Sequence, residues 1–520
     1  MSPSQPSPEG RAFKAHSLDS KSKVSPSGGD LEGAVAIIIG AGIAGIASAI
    51  RLAVKGYEVQ VFEANSYPGG KLSEINQQGY RFDAGPSLFT MPQYVDELFD
   101  LAGRNPRSEF NYQKLDAICN YFYPDGTVFT AYADEDKLAD SIAQSTNTTK
   151  ASVKHYFANS ARIYHITDHV FLQRSLHRLK TYLRWDTVRS ILRLSQIDAF
   201  RSMHQANQSF FADKRIVQYA DRYATYNGSN PYQAPATLNV IPHLEQHFGA
   251  YFPDDGMYSI TTSLVKLAES LGVKFNYNYP VEEIVLDKLK AKGIKLKDKF
   301  VEADIVISNM DVWFTYHKLL KQHPELYPKR ILQQERSSSA LIFYWGVKKQ
   351  FEQLGLHNIF FSADYEAEFG AIWKQQTMSA DPTVYLNISS KLKPGDAPAG
   401  CENWFVMINV PANTGQDWDT LIAAAKKSIL AGLSRKLGVC IEQLIETEAI
   451  LDPRSIESKT SSYQGSLYGT SSNGQLAAFL RHANRSSKIK NLYFCGGSVH
   501  PGGGIPLSLL SAKIVSEWVQ

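Results

Sequence analysis

The strongest constraint in this chain is a continuous apolar run, AVAIIIG (34–40), that ends on a glycine turn and opens straight into a helical pattern. A strand without polar alternation is buried on both faces, as in a parallel sheet covered by helices. The turn reads Gly40-Ala41-Gly42-Ile43-Ala44-Gly45, a GxGxxG. Gly40 permits the tight turn, Gly42 lets backbone approach a pyrophosphate, and Gly45 lets helix pack on strand. The helix start then offers unpaired N–H groups to phosphate. Small and apolar residues at helical spacing run from Ile43 to Lys55, and EVQVFEA (58–64) alternates as a second strand. Glu63 closes that strand eighteen residues after Gly45, where a carboxylate can accept hydrogen bonds from a ribose diol. A lone GxGxxG is a weak signal. Strand, helix and acidic strand end in this order make it an α/β, Rossmann-like dinucleotide site.

Two further glycine elements choose the dinucleotide. Pro68-Gly69-Gly70-Lys71-Leu72-Ser73 adds a second glycine turn and a cation just beyond the acidic strand end, which a nicotinamide enzyme does not need. Alone, Gly69-Gly70 would read as a hairpin turn. Near the C-terminus, CGGSVHPGGGIPLSLL (495–510) sets five glycines and two prolines between a strand and a helix. Such backbone suits close approach to a flat, charged ligand, and Pro506 suits the first helical turn. The expected cofactor is FAD, with the helix start beside the flavin ring favouring its anionic reduced form. With no second GxGxxG for NADPH, the electron acceptor must be something else.

Composition excludes several classes. Apolar residues are 43% and charged residues 20%, with a formal charge of +3, so total charge gives a nucleic-acid role no support. The four cysteines (Cys119, Cys401, Cys440, Cys495) form no CxxC, zinc spacing or redox pair near the first glycine motif. No apolar run reaches the ~18–20 residues that cross a bilayer. Residues 1–32, rich in Ser, Pro, Gly and Lys, lack the apolar core of a secretory signal and read as a disordered tail. An organellar presequence fits less well, because Glu9, Asp19 and Asp30 lie within it.

Beyond residue 106 the texture turns aromatic, basic and helical, and near 256 it turns back. GMYSITTSLVKLAESLGVK reads as a helix, and FNYNYPVEEIVL, GIKLKD and VEADIVISN as strands. Strands are expected at 340–347, 404–410 and from 491, with helices at 418–437 and 507–519. The expected organisation is an FAD domain built from 33–105, 255–315 and 456–520. An α+β substrate- and membrane-contacting domain is inserted as 106–254 and 316–455.

Here the chain resembles the bacterial-type carotenoid desaturases, the phytoene desaturase family of flavoproteins, from Ala34 to Gln520. The likeness is carried by GAGIAGIASAIRLAVKGYEVQVFEA, PGGKLS, GYRFDAGPSLFTMP (79–92), YATYNGSNPYQAPA (223–236), GMYSITTSLVKLAESLGV, SNMDV (308–312) and CGGSVHPGGGIPL. It implies that Gly40, Gly42, Ile43, Ala44 and Gly45 line the pyrophosphate and Glu63 holds the ribose. It sets Gly70 and Lys71 along the phosphates, Gly85-Pro86-Ser87 near the flavin, and Val281 at the adenine through its backbone. Gly496-Gly497 and Gly504-Ile505-Pro506 would edge the flavin. Lys71 stands where many relatives carry arginine, which keeps the charge but not the fork. GPSLFTMPQYVDELF and residues 385–419 look most like the desaturases of 1-hydroxylated carotenoids, which add the 3,4 double bond; a general phytoene desaturase is the alternative.

In such a desaturation flavin N5 takes a hydride and a neighbouring carbon loses a proton. The departing hydrogens are allylic, so no strong base is required, and no catalytic residue is named. A quinone or oxygen would reoxidise the flavin. A flavin-dependent isomerase that returns its electrons, a pigment carrier without turnover and an amine oxidase are competing functions. His243 and His247 (HLEQH) share a helical face, but the HExxH glutamate position holds Leu244, so no metal is expected. His500 would either orient a proton near the flavin or bond backbone. Residues 161–201 hold eight Lys/Arg against three Asp, with Leu172, Leu176, Leu179 and Leu183 at helical spacing and Trp185, Val188, Ile191 and Leu192 beyond. Two readings follow: an ordinary helix packed on the core, or an interfacial helix with Arg174, Arg178 and Arg184 on anionic headgroups. A carotenoid must be drawn from a bilayer, which favours a cytoplasmic enzyme peripheral on the membrane.

Overall fold

The computed structural model describes residues 33–168, 174–182, 184–193, 196–474 and 477–519. The expected disordered tail (1–32), Leu172 and Leu183 lie outside these residues.

Five parallel strands form the first sheet, in the order Lys274–Asn276, Glu58–Phe62, Val35–Ile39, Ile305–Ser308, Leu492–Phe494. Three separated stretches of chain therefore meet in one sheet, with Val35–Ile39 at its centre. Side chains alternate across a strand, so that centre feeds two cores. On one face Ala36 and Ile38 join Ile46 and Ile50 of the Ile43–Val54 helix, Leu264 of the Ser259–Ser270 helix, and Leu509 and Ala512 of the Ile505–Trp518 helix. On the other, Ile37 and Ile39 pack with Phe62, Val281, Val306, Phe494 and Leu319.

The second sheet has seven strands, ordered Ile445–Leu451, Ser339–Val347, Glu402–Val410, Val384–Asn387, His357–Phe360, Ala117–Phe122, Val128–Tyr132. Only the His357–Phe360 and Ala117–Phe122 pair is parallel. One face, with Phe343, Trp345, Leu386, Trp404 and Val406, is covered by Trp418, Ile429 and Leu433 of the Trp418–Leu437 helix. On the other face Ile342, Tyr344 and Phe405 pack against Tyr80, Phe82 and Ala84, the run leading into Gly85-Pro86-Ser87.

Most strands and helices fall where the sequence puts them. The Ala117–Phe122 and Val128–Tyr132 hairpin is an exception, inside a stretch read as helical. Ile118, Cys119 and Tyr121 are all buried, so the alternation that marks a one-sided strand is missing. The 161–201 stretch differs too. Its start belongs to the Lys150–Thr167 helix, and two short helices follow, Leu179–Tyr182 and Trp185–Leu192, in place of one long amphipathic helix.

Candidate active site

The N- and C-terminal glycine elements converge at the C-terminal edge of the parallel sheet, where doubly wound α/β folds place ligands. Gly40 has a positive φ of 97°. A Cβ on Gly45 would lie 2.2 Å from the Gly40 carbonyl oxygen, so close packing demands this glycine. Gly42 has an added reason to be small. A Cβ there would lie 2.6 Å from Oδ1 of Asn309, whose side chain fills the space beside the turn. Asn309 accepts from the Gly45 amide at 3.1 Å and donates to the Cys495 carbonyl at 3.2 Å, joining the first glycine turn to the last strand. Ile43 and Ala44 occupy the first two positions of a helix whose Gly42 N-cap has no side chain to bond them, and such amides lack intrahelical partners.

Glu63 is 6% exposed. Its Oε2 accepts from the Ala41 amide at 2.7 Å, while Oε1 accepts the backbone and side-chain N–H of Asn65 at 2.9 and 2.8 Å. Oε2 keeps one lone-pair site for a ribose hydroxyl. Beside it, Tyr279 donates to the Glu63 carbonyl at 2.9 Å, which lays the segment ending at buried Val281 along the same strand end. The second glycine turn docks on the first: Gly69 donates to the Ala41 carbonyl at 2.8 Å, and a Cβ on Gly70 would lie 3.6 Å from the Gly42 Cα.

Lys71 is turned toward the C-terminal region, with Nζ donating to the carbonyls of Ser466 and Leu467 at 3.0 and 2.8 Å. Burial pushes its ammonium down to about 8, and nearby Asp311 partly offsets this. Gly85 rests on the same loop, since a Cβ there would lie 1.7 Å from the Lys71 carbonyl oxygen. Ser87 Oγ is 2.7 Å from the hydroxyl of Tyr385, and Tyr344 donates to the Ala84 carbonyl at 2.7 Å. Those two bonds fasten the second sheet to the Gly85-Pro86-Ser87 turn.

In the C-terminal loop, Gly496 has φ 104° and donates to Ser511 Oγ at 2.8 Å. A Cβ on Gly497 would lie 3.2 Å from Gly503 Cα. Gly504 (φ 98°) is the N-cap of the final helix, Ile505 and Pro506 fill its first turn, and the Cβ position of Gly504 faces open space. His500 bonds the Arg174 carbonyl at 2.8 Å through Nε2, and burial pushes its pKa down to about 4, which is the backbone-bonding role. The rings of His243 and His247 stack 4.8 Å apart on the Val240–Phe248 helix.

Three polar side chains here were not singled out from sequence. Asn309 lay unremarked inside SNMDV. Arg481, 1% exposed, donates to the carbonyls of Tyr468, Gly497 and Thr470 at 2.9, 3.3 and 2.9 Å and so holds the C-terminal loop. Arg336, 4% exposed, has no hydrogen-bond partner for Nε, Nη1 or Nη2 among the described residues, and Asp311 Oδ1 lies 3.7 Å from Nη2. Single arginines in loop or strand sequence carry no pattern that would mark them.

A model of the flavin-containing amine oxidoreductases matches residues 43–519. The chain is 49% identical over 484 residues to the 1-hydroxycarotenoid 3,4-desaturase of Flavobacterium sp. (strain P99-3), covering 93% of this chain and 98% of that one. It is 34% identical to the 4,4'-diapolycopene oxygenase of Methylomonas sp, over 92% and 97% of the two chains. In fold it is similar to an oxidoreductase from Methanosarcina mazei, with a TM-score of 0.60 at 15% identity over 93% and 100% of the chains. The glycine cradle, the uncapped helix start and Glu63 fit a flavin dinucleotide. The chain belongs to the flavin-containing amine oxidoreductases, within them to the carotenoid desaturases, and is an FAD-dependent oxidoreductase.

Proposed function

We propose that the chain introduces a carbon–carbon double bond into a carotenoid, and that its substrate is a 1-hydroxycarotenoid desaturated at C3–C4. The observation that carries this reading is the 49% identity, over 93% of the chain, to a 1-hydroxycarotenoid 3,4-desaturase, and the aromatic inner face of the second sheet accords with it. Tyr121, Ile359, Tyr385, Met407, Phe405, Tyr344 and Ile342 follow one another across it by strand register, and its hydroxyls fasten onto the turn at Ala84 and Ser87. An aromatic and aliphatic floor of this kind suits a polyene. The strong likeness to a 1-hydroxycarotenoid 3,4-desaturase narrows the substrate.

On this reading Gly40, Gly42, Ile43, Ala44 and Gly45 hold the pyrophosphate and Glu63 the ribose. Val281 meets the adenine, Gly70 and Lys71 serve the phosphate side with Arg336, and Gly85, Pro86, Ser87, Gly496, Gly497, Gly504, Ile505 and Pro506 surround the ring. FAD held by these residues would supply the hydride acceptor, the adjacent carbon losing its proton to solvent. The chain holds the polyene against the Ala84–Ser87 turn and excludes water with buried aromatic surface. We read residues 106–254 and 316–455 as the substrate domain, and a quinone or oxygen as the final acceptor.

No helix among the described residues is long and apolar enough to cross a membrane. We propose a peripheral enzyme that collects substrate from the bilayer through the 182–201 region, where Trp185 is 78% and Phe200 81% exposed. Arg184 and Arg189 are exposed beside them. Arg178 and Leu176 do not take part as the sequence suggested. Arg178 lies 3.9 Å over the Trp518 ring and donates to the Glu517 carbonyl at 2.6 Å, and Leu176 is buried.

Separate incubations of the FAD-loaded enzyme in liposomes with phytoene, lycopene and a 1-hydroxycarotenoid test the substrate. A longer-wavelength polyene spectrum is expected with the 1-hydroxycarotenoid; conversion of phytoene alone would assign a phytoene desaturase instead.

A further inference from the structure

The substrate face contains a polar island that no part of the flavin site uses. Arg222, 5% exposed, follows the Lys214–Asp221 helix and is packed among aromatic rings over the sheet. Its guanidinium carbon lies 5.2, 5.1 and 4.8 Å from the ring centres of Tyr121, Tyr223 and Tyr226. Nη2 donates to the hydroxyls of Tyr121 and Tyr226 at 2.5 and 3.0 Å. Tyr226 and Tyr223 donate in turn to Oε2 and Oε1 of Glu245, at 2.5 and 2.8 Å, so the buried charge is balanced through two phenols. Nε, however, has no partner among the described residues.

His357 stands on the same sheet face. The register pairs Ile359 with both Tyr121 and Tyr385, and His357 with Asn387, so all five side chains share one side. Asn387 Nδ2 donates to His357 Nδ1 at 3.1 Å, and the Tyr385 hydroxyl lies 2.8 Å from that same nitrogen. Burial, with Arg222 acting in the same direction, pushes the imidazole down to about 3, so the ring is neutral. Since Nδ1 is an acceptor, the proton sits on Nε2, and Nε2 also lacks a partner among the described residues. His357 on the sheet and Arg222 on the segment packed over it, close enough for the guanidinium to act on the imidazole, thus each present a buried N–H donor without a partner among the described residues. A buried unsatisfied donor is costly and is seldom kept without use.

We infer that Arg222 Nε and His357 Nε2 form the site that receives the oxygen of the substrate's terminal hydroxyl group. This rests on the reading of the chain as a carotenoid desaturase. The position suits the chemistry. In a 1-hydroxycarotenoid the oxygen-bearing carbon is separated from the C3–C4 bond by a single carbon, so the hydroxyl must be read close to the reacting centre. His357 reaches the Ser87 turn through one intervening side chain, Tyr385, by contacts of 2.8 and 2.7 Å. A hydrocarbon end placed there would leave both donors unpaired, which is the means by which a polar site rejects an analogue without the hydroxyl.

The test compares kcat/KM for a 1-hydroxycarotenoid and for the same polyene without the hydroxyl, using FAD-loaded enzyme in liposomes. Wild type is compared with His357→Leu, His357→Gln and Arg222→Met. Bound FAD and thermal midpoint show that each variant is folded. Wild type should favour the hydroxylated substrate. His357→Leu should reduce that ratio about 10-fold or more, while His357→Gln, whose Nε2 keeps a donor, should retain most of it. Arg222→Met should reduce it as well, and the histidine pair decides the matter if Arg222→Met fails to fold. An unchanged ratio in His357→Leu would overturn the assignment and leave the desaturase reading intact. A wild type that converts neither polyene would overturn the desaturase reading itself.

Discussion

At the scale of single residues, Lys71 shows how burial turns a generic cation into a titrating one. Its ammonium is pushed down to about 8, against 10.5 for a free lysine, and two of its N–H groups already serve carbonyls. The charge is present below pH 8 and lost above it. FAD affinity of the apoprotein should therefore fall about 10-fold as pH rises through 8 at low ionic strength, the size of one charge-assisted contact. Fold stability moves the other way. The unfolded chain binds the extra proton between about 8 and 10.5, so the Lys71 contribution to apoprotein stability grows with pH in that window. Fluorescence titration of FAD at pH 7 and 9 checks the first effect, and Lys71→Arg should flatten it. The same pH profile in both proteins would contradict a role for the Lys71 charge. Asn309 makes the complementary point: one neutral side chain bonds the first glycine turn and the last strand, and GxGxxG reading alone does not reveal it.

At the scale of elements, the proposed function divides the handling of an insoluble substrate between the 182–201 region and the inner sheet face. Trp185, on a short helix, and Phe200, in a loop, project into solvent, whereas Leu176 is buried and Arg178 is engaged with Trp518 and Glu517 of the final helix. An exposed aromatic pair flanked by bases is suited to the headgroup boundary. Trp185→Ser with Phe200→Ser should weaken sedimentation with anionic liposomes several-fold while bound FAD stays unchanged. Equal sedimentation of wild type and double variant would contradict the proposed membrane contact. Spacing suggested one amphipathic helix here, but helical periodicity does not tell a core-facing leucine from a lipid-facing one.

At the scale of the whole molecule, the flavin half was legible because phosphate binding and close packing impose glycines at fixed spacing. Gly40, Gly45, Gly69 and Gly85 each show a positive φ or a forbidden Cβ that explains the residue. The half built on the seven-stranded sheet was legible only as a texture. Its sheet assembles from 117–132 and 339–451, so the pairing of Ile359 with Tyr121 spans more than two hundred residues with no local trace. The Arg222–Tyr226–Glu245 and His357–Tyr385–Ser87 connections are hidden for the same reason. Both sheets meet at the Ala84–Ser87 turn, where a desaturase must carry out net redox chemistry. Mixing FAD-loaded enzyme anaerobically with a 1-hydroxycarotenoid in liposomes measures it directly. Oxidised-flavin absorbance should bleach in step with the polyene formed, one flavin per new double bond. A polyene that changes with no net loss of oxidised flavin would show an isomerase, and would contradict the desaturase reading.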